Sequence, residues 1–309
     1  MSRRDALPPD VRVLERGWLS SNNLLVFDAD AATLIDSGHV RHAGQTVALL
    51  RLALGGARLT RLVNTHLHSD HCGGNAALAQ AFEGLRIIVP PGGFAAARDW
   101  DEDALSYRAT AQRCARFVPD AALRTEAPLV LGGRPWDVIA APGHDPDAVM
   151  LFDARHGLLV SGDALWENGF GVVFPELDGE PGFDDVAAVL DAIERLPVAV
   201  VVPGHGAPFT DVASALARAR SRLASWRADP RRHARHAAKV LVKYHLMEEG
   251  AQPEAELAAW AAAAPLLGRL WARAGRAEAD APSGWCRQLV DELVAAGAAA
   301  RQGGQVHDR

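Results

Sequence analysis

Thr65-His66-Leu67-His68-Ser69-Asp70-His71-Cys72-Gly73-Gly74 decides how the rest of this chain is read. Four side chains able to ligate a metal fall within six positions, in the pattern His-x-His-x-Asp-His. Only 12 histidines occur in the 309 residues, so three of them in six positions is far from a random scatter. Imidazole nitrogen together with carboxylate oxygen is a donor set for borderline cations such as zinc. The stretch follows an apolar run at residues 59–63 that reads as a short strand. A loop leaving a strand can fan such side chains round a small volume.

Working outward, three more candidates stand in turn-like settings. His144 lies in Ala141-Pro142-Gly143-His144-Asp145, Asp163 in Ser161-Gly162-Asp163-Ala164, and His205 in Pro203-Gly204-His205-Gly206. Each alone is a weak signal, because a Gly-His or Gly-Asp is commonly just a turn. Each, however, follows an apolar β-type run, so all three can sit at strand ends on the edge that carries the first cluster.

The surrounding pattern supplies those strands. Residues 24–27 and 32–35 flank the Asp28-Ala29-Asp30 turn as a hairpin. Residues 46–54 read as a helix stopped by Gly55-Gly56, and Gly73-Gly74 opens another over 75–82. Strands are expected at 86–89, 136–140, 148–152, 157–160 and 198–202. Residues 184–196 form an amphipathic helix, with Val186, Val189, Leu190 and Ile193 on one face. Strands mixed with helices predict a layered α/β domain over 1–211 with its site on loops at one sheet edge. Beyond 211 the chain turns Ala/Arg/Leu-rich with almost no β signal. Helices are expected over 212–228, 232–249 and on to about 300, with a break at Asp229-Pro230 and a fraying tail at 302–309. The 212–309 region is therefore predicted to be an all-helical extension.

Composition narrows the classes. Hydrophobic residues make up 49% and charged residues 23%, which excludes a mainly disordered chain. Thirty-two Lys+Arg against 38 Asp+Glu give a net charge of −6, which argues against nucleic acid as the general partner. No apolar run approaches the roughly 20 residues needed to span a bilayer. The start, MSRRDALPPD, has no apolar segment after its arginines, so no signal peptide is expected. Three widely spaced cysteines are not a disulfide framework, and a cytoplasmic setting is expected.

The seven candidate ligands, together with Leu34-Ile35-Asp36-Ser37-Gly38, resemble the metallo-β-lactamase fold superfamily over roughly residues 16–208. The resemblance implies a four-layer αββα sandwich and a site for two metals, zinc first, with iron or manganese able to take the same donors. Carried over position by position, it implies that His66, His68 and His144 hold one metal. Asp70, His71 and His205 would hold the second, with Asp163 bridging. It further implies a hydrolase in which Asp70 orients the attacking hydroxide. True β-lactamases generally lack a bridging aspartate at the Asp163 position, and flavodiiron proteins carry glutamate at that of His68. The chain is thus more similar to the glyoxalase II, lactonase and phosphodiesterase branches. Quorum-quenching lactonases usually have a tyrosine three residues after the bridging aspartate, where this chain has Trp166. No clear match is present to the basic carboxy-terminal pattern by which glyoxalase II grips glutathione. Persulfide dioxygenases use a similar His/His/Asp set for iron.

The expected function is hydrolysis of a small ester, thioester or lactone. A phosphodiesterase or phosphotriesterase on the same ligands is the alternative, with an iron persulfide dioxygenase and a non-catalytic binding protein behind it. The loop from Trp166 to Pro175 carries Trp166, Phe170 and Phe174, candidates to line a pocket for a substrate with an apolar part. Tyr107 and Asn22 are further pocket candidates, against core packing for the first and turn chemistry for the second. Arg231, Arg235 and Lys239 recur every four residues and so share a helix face, read as a solvated face rather than a phosphate patch. A homodimer is compatible with everything in the chain.

Overall fold

The structure, a computed structural model, describes residues 7–309. The arginines of the amino-terminal stretch on which the signal-peptide expectation rests lie outside them. Two sheets dominate the first part. One holds six strands in chain order: β1 (Val11–Leu14), β2 (Asn23–Asp28), β3 (Ala31–Ile35), β4 (Arg58–Val63), β5 (Arg86–Val89) and β6 (Ala121–Ala122). The other holds β7 (Leu129–Leu131), β8 (Arg134–Ala140), β9 (Val149–Asp153), β10 (Leu158–Gly162) and β11 (Val200–Pro203), in the order β11-β10-β9-β8-β7.

Side chains alternate faces along a strand, and the core follows that rule. Leu24 and Val26 of β2 share one cluster with Leu158 and Val160 of β10 and Val200 and Val202 of β11. Trp136 and Val138 of β8 complete it. The two sheets therefore pack face to face. Leu25, Leu34 and Leu62, on the opposite faces, are also fully buried, as expected of a sheet covered on both sides.

The helices of this part are α1 (Ala43–Leu54), α2 (Ser69–Cys72), α3 (Asn75–Ala81), α4 (Phe94–Asp99), α6 (Phe174–Asp178) and α7 (Gly182–Arg195), while α5 (Tyr107–Thr110), between them in the chain, belongs with the carboxy-terminal helices. Gly55 ends α1 in the left-handed conformation, φ +58°, as its C-cap reading predicts. The αββα sandwich is thus present.

The chain divides into two compact units, 1–105 with 113–223, and 106–112 with 224–309. The remaining helices are α8 (Val212–Ala228), α9 (Pro230–Glu249), α10 (Glu254–Ala263), α11 (Pro265–Leu270) and α12 (Pro282–Ala295). The carboxy-terminal region is helical as expected, but not wholly so. Strands β12 (Gln252–Pro253), β13 (Ala299–Gln302) and β14 (Gln305–Asp308) make a small sheet in the order β12-β14-β13. The tail does not fray: Gly303 and Gly304, at φ +60° and +78°, turn β13 into β14. A two-residue turn with both φ positive matches strand twist, and glycine takes it without steric cost. That turn ties residues 302–308 into a ladder.

Candidate metal centre

All seven candidate ligands lie in the first unit, just past strand ends. β4 delivers Asn64 to His71, β8 leads to His144, β10 to Asp163 and β11 to His205. β10 and β11 are parallel. β8 and β10 both run antiparallel to β9, so these three strands deliver their loops to one sheet edge.

The ligand atoms of His66, His68 and His144 lie within 4.8 Å of one another, as do those of Asp70, His71, Asp163 and His205. All seven are buried. Within the first group His68 Nδ1 faces His144 Nε2 at 2.8 Å. Within the second, His205 Nε2 lies 3.0 Å from Asp70 Oδ2 and His71 Nε2 lies 3.3 Å from Asp163 Oδ1. The other Asp163 oxygen is 3.5 Å from His144 Nε2, so this carboxylate faces both groups.

Neighbouring groups fix which nitrogen of each ring points inward. His144 Nδ1 donates to the Val172 carbonyl at 2.6 Å, leaving Nε2 as the free lone pair. His71 Nδ1 donates to Asp36 Oδ2 at 2.8 Å, which aims Nε2 at the cluster. His68 Nε2 looks at Asp145 Oδ2, 3.6 Å away, leaving Nδ1 inward. Ligating histidines characteristically spend their second nitrogen on such a partner. Asp36 also accepts from the Thr65 amide and hydroxyl, both at 2.8 Å. It therefore braces the start of the metal loop as well as His71.

Two glycines make room for the rings. A Cβ on Gly171 would sit 2.3 Å from His144 Nδ1, and one on Gly204 would sit 2.2 Å from Asp163 Oδ1.

Charge balance points to cations. Burial pushes His68 and His144 down to about 4 and His66 well below its ordinary value. Burial also opposes charge on His71, yet the Asp36, Asp163 and Asp70 carboxylates outweigh it and hold that pKa well above the usual range. Asp70 is pulled down by His71 and His205 against the effect of burial. The buried nitrogens His66 Nε2 and His71 Nε2 have no hydrogen-bond partner. Orphaned buried polar atoms are rare and call for an explanation. Inward lone pairs beside ionised carboxylates fit two divalent cations of the borderline class.

The expected pocket residues fare differently. Trp166 is at the site: its indole N–H donates to Asp163 Oδ1 at 3.1 Å, and its ring lies 5.6 Å from His205. Phe174, half-buried, meets His68 and His144 at 5.1 and 5.6 Å. Phe170 is only 1% exposed and packs beneath the loop. Asn22 spends its amide on the loop that carries His205. Its Nδ2 donates to the Pro203 and Gly206 carbonyls, its N–H donates to Gly204 O, and its Oδ1 accepts from the Arg16 amide. Tyr107 belongs to the second unit, where it is buried in α5, which packs on α11.

Sequence reading passed over Trp18, whose ring stacks on His205 at 5.4 Å and 10°. It also gave no role to Asp36, whose side chain orients His71. A lone tryptophan in a loop carries no motif, but an aspartate directly after an apolar strand run is a strand-end signal that could have been weighed.

The profile of the metallo-beta-lactamase superfamily matches residues 16–205. The hydroxyacylglutathione hydrolase of Anaeromyxobacter dehalogenans (strain 2CP-C) is 33% identical over 208 residues, 65% of this chain and 69% of the relative. Among solved structures, the metallo-beta-lactamase family protein TTHA1429 from Thermus thermophilus superposes with a TM-score of 0.59 at 20% identity. That match covers 98% of this chain and 99% of the other. TTHA1623 in a di-iron-bound form gives 0.51 at 25% identity, over 66% of this chain and 96% of its own. With a profile spanning well over half its length and its sandwich shared by those solved structures, the chain belongs to the metallo-beta-lactamase superfamily.

Proposed function

We propose that the protein is a dinuclear metal-dependent hydrolase that cleaves a small thioester or ester, with a lactone as a less favoured substrate. The observation that carries this reading is the pair of adjacent buried donor groups, with Asp163 of the second also facing His144 of the first. The similarity to a hydroxyacylglutathione hydrolase supports the thioester. His66, His68 and His144 would hold one ion and Asp70, His71 and His205 the other, with Asp163 between them. When bound, such ions acidify water to give a nucleophile at neutral pH and polarise the carbonyl under attack. Asp70, held ionised by its histidine neighbours, orients the attacking water and relays its proton. The Asp36 carboxylate keeps His71 in the required tautomer, and Trp166 fixes the rotation of the Asp163 carboxylate. Phe174 lines the side of His68 and His144 and excludes water there.

Zinc is the metal we propose, with iron and manganese able to use the same donors; the di-iron form of TTHA1623 supports that latitude. We place the protein in the cytoplasm as a small-molecule enzyme. Among the described residues no helix is long and apolar enough to cross a membrane. The test is metal analysis together with parallel assays of aryl esters, thioesters and a bis-aryl phosphodiester on one preparation. About two ions per chain and fastest turnover of a thioester are expected, and His68→Ala should lose metal and activity together. Full activity in chelator-stripped protein, or fastest turnover of the phosphodiester, overturns the reading.

A further inference from the structure

Trp18 keeps 55% of its surface exposed beside the buried polar cluster of the first unit. Its ring lies nearly parallel to His205, 5.4 Å away at 10°. The Trp166 ring stands edge-on to both, 5.4 Å from Trp18 at 72° and 5.6 Å from His205 at 82°. The two indoles thus make a two-walled corner over His205.

The second wall is pinned in place. The Trp166 N–H bonds to the Gly169 carbonyl at 2.6 Å, and its indole N–H to Asp163. From α8, Arg218 Nε donates to the Glu167 carbonyl at 2.8 Å and Arg222 to the Phe170 carbonyl at 3.4 Å. A Cβ on Gly169 would strike the Arg222 guanidinium, so that side chain lies directly under the turn. These two arginines hold the backbone of the corner.

We infer that this corner is a subsite for a flat aromatic arm of the substrate. Resting on the hydrolase reading above, the inference names the class of group that the enzyme selects. Indole faces accept a ring offset-stacked on one wall and edge-on to the other, and burying the exposed Trp18 face adds to that attraction. A cationic arm also suits an indole face, but here it would sit beside two divalent ions. A peptide-like arm bearing carboxylates would instead need free cationic partners, and Arg218 and Arg222 are turned to loop carbonyls.

The metal-loaded chain is assayed with S-benzyl thioacetate, S-methyl phenylthioacetate, S-methyl thioacetate and acetylthiocholine. Binding of N-benzylacetamide and N-methylacetamide, amides with the same arms, is followed in parallel by ligand-observed NMR. At least one aromatic thioester should exceed S-methyl thioacetate in kcat/KM by tenfold or more. N-benzylacetamide should bind tenfold or more tighter than N-methylacetamide. Trp18→Ala should collapse both ratios to below threefold, and Trp18→Phe should restore most of each. Ratios that survive Trp18→Ala overturn the inference. So does a dependence on Trp18 that is largest for acetylthiocholine. Trp18-dependent amide binding without hydrolysis of any thioester upholds the corner and removes the thioester reading instead.

Discussion

Asp36 serves three donors with two oxygens: the Thr65 amide, the Thr65 hydroxyl and His71 Nδ1. It does so from a left-handed backbone, φ +57°, which disfavours most L-residues by about 1–2 kcal/mol. Aspartate tolerates that region better than most, and its carboxylate meets Thr65 and His71 just beyond the end of β4. In Asp36→Asn one oxygen becomes an NH₂ donor, and the charge that favours His71 in its ligating orientation disappears. Losing such a carboxylate behind a ligating histidine weakens metal binding by roughly 10–100-fold, which a chelator-competition titration would show. Gly171 sets a steric condition. With a Cβ, residue 171 would force the His144 ring or the 171–173 backbone to move, so Gly171→Ala should halve the bound metal from two ions to one. Gly44→Ala is the control. It lies at the exposed start of α1 with nothing within 4 Å of the added Cβ, and should leave metal content intact while matching or slightly raising the melting temperature.

At the scale of elements, the β9–β10 turn is held by a buried ion pair. Arg134, on β8, donates through Nε to Asp153 Oδ2 at 2.6 Å and bonds also to Asp10. His156 Nδ1 reaches the same Asp153 oxygen at 2.7 Å. Burial opposes the Asp153 charge, but His156 and Arg134 outweigh it and hold the carboxyl below its ordinary range. A depressed carboxyl contributes stability above its unfolded pKa of about 4 and loses it as pH falls through the folded value. Asp153→Asn leaves the Arg134 guanidinium short of a buried partner, a loss of about 3 kcal/mol. The variant should therefore melt well below wild type at pH 7, and the gap should shrink as pH falls below 4. A gap that is constant with pH would show that packing, not charge, carries the effect. Elements of this kind differed in how far the sequence revealed them. β5 and α8 lie where the alternation and helical pattern put them, because burial on one face imposes a period. β1 and β7 carry too few alternating residues to stand out. The loop after Asp163 hid both the short helix α6 and the aromatic corner, since neither has a period. His66, His68, Asp70 and His71 stand out as candidate ligands from spacing alone. His144, Asp163 and His205 are weak signals one by one and join them only through their strand-end settings and the family resemblance; sheet topology is what shows β8, β10 and β11 ending on one edge.

For the molecule as a whole, the basic run on α9 does not add up to an anion-binding face. Arg235 bonds to Glu278 and Glu292, Lys239 to Glu292 and Lys243 to Asp308. With the chain at −6 overall, that internal neutralisation supports a small-molecule rather than a nucleic-acid partner. What α9 does hold is a buried base. His233 is almost fully buried, its ring 4.6 Å from Trp226, and burial drives its pKa down to about 3. An unfolded histidine titrates near 6.5, so between about pH 6.5 and 3 the unfolded chain binds the extra proton. Stability must fall with pH across that window, by up to about 1.4 kcal/mol per pH unit once well below 6.5. By pH 5 this one ring should cost the fold about 2 kcal/mol. His233→Leu keeps an apolar side chain against Trp226 and removes the titration. Its melting temperature relative to wild type should therefore rise steadily as pH is lowered from 7 to 5 in metal-loaded protein. A difference that stays flat over those two pH units would mean that His233 is protonated in the folded state, and that the helix around it admits water.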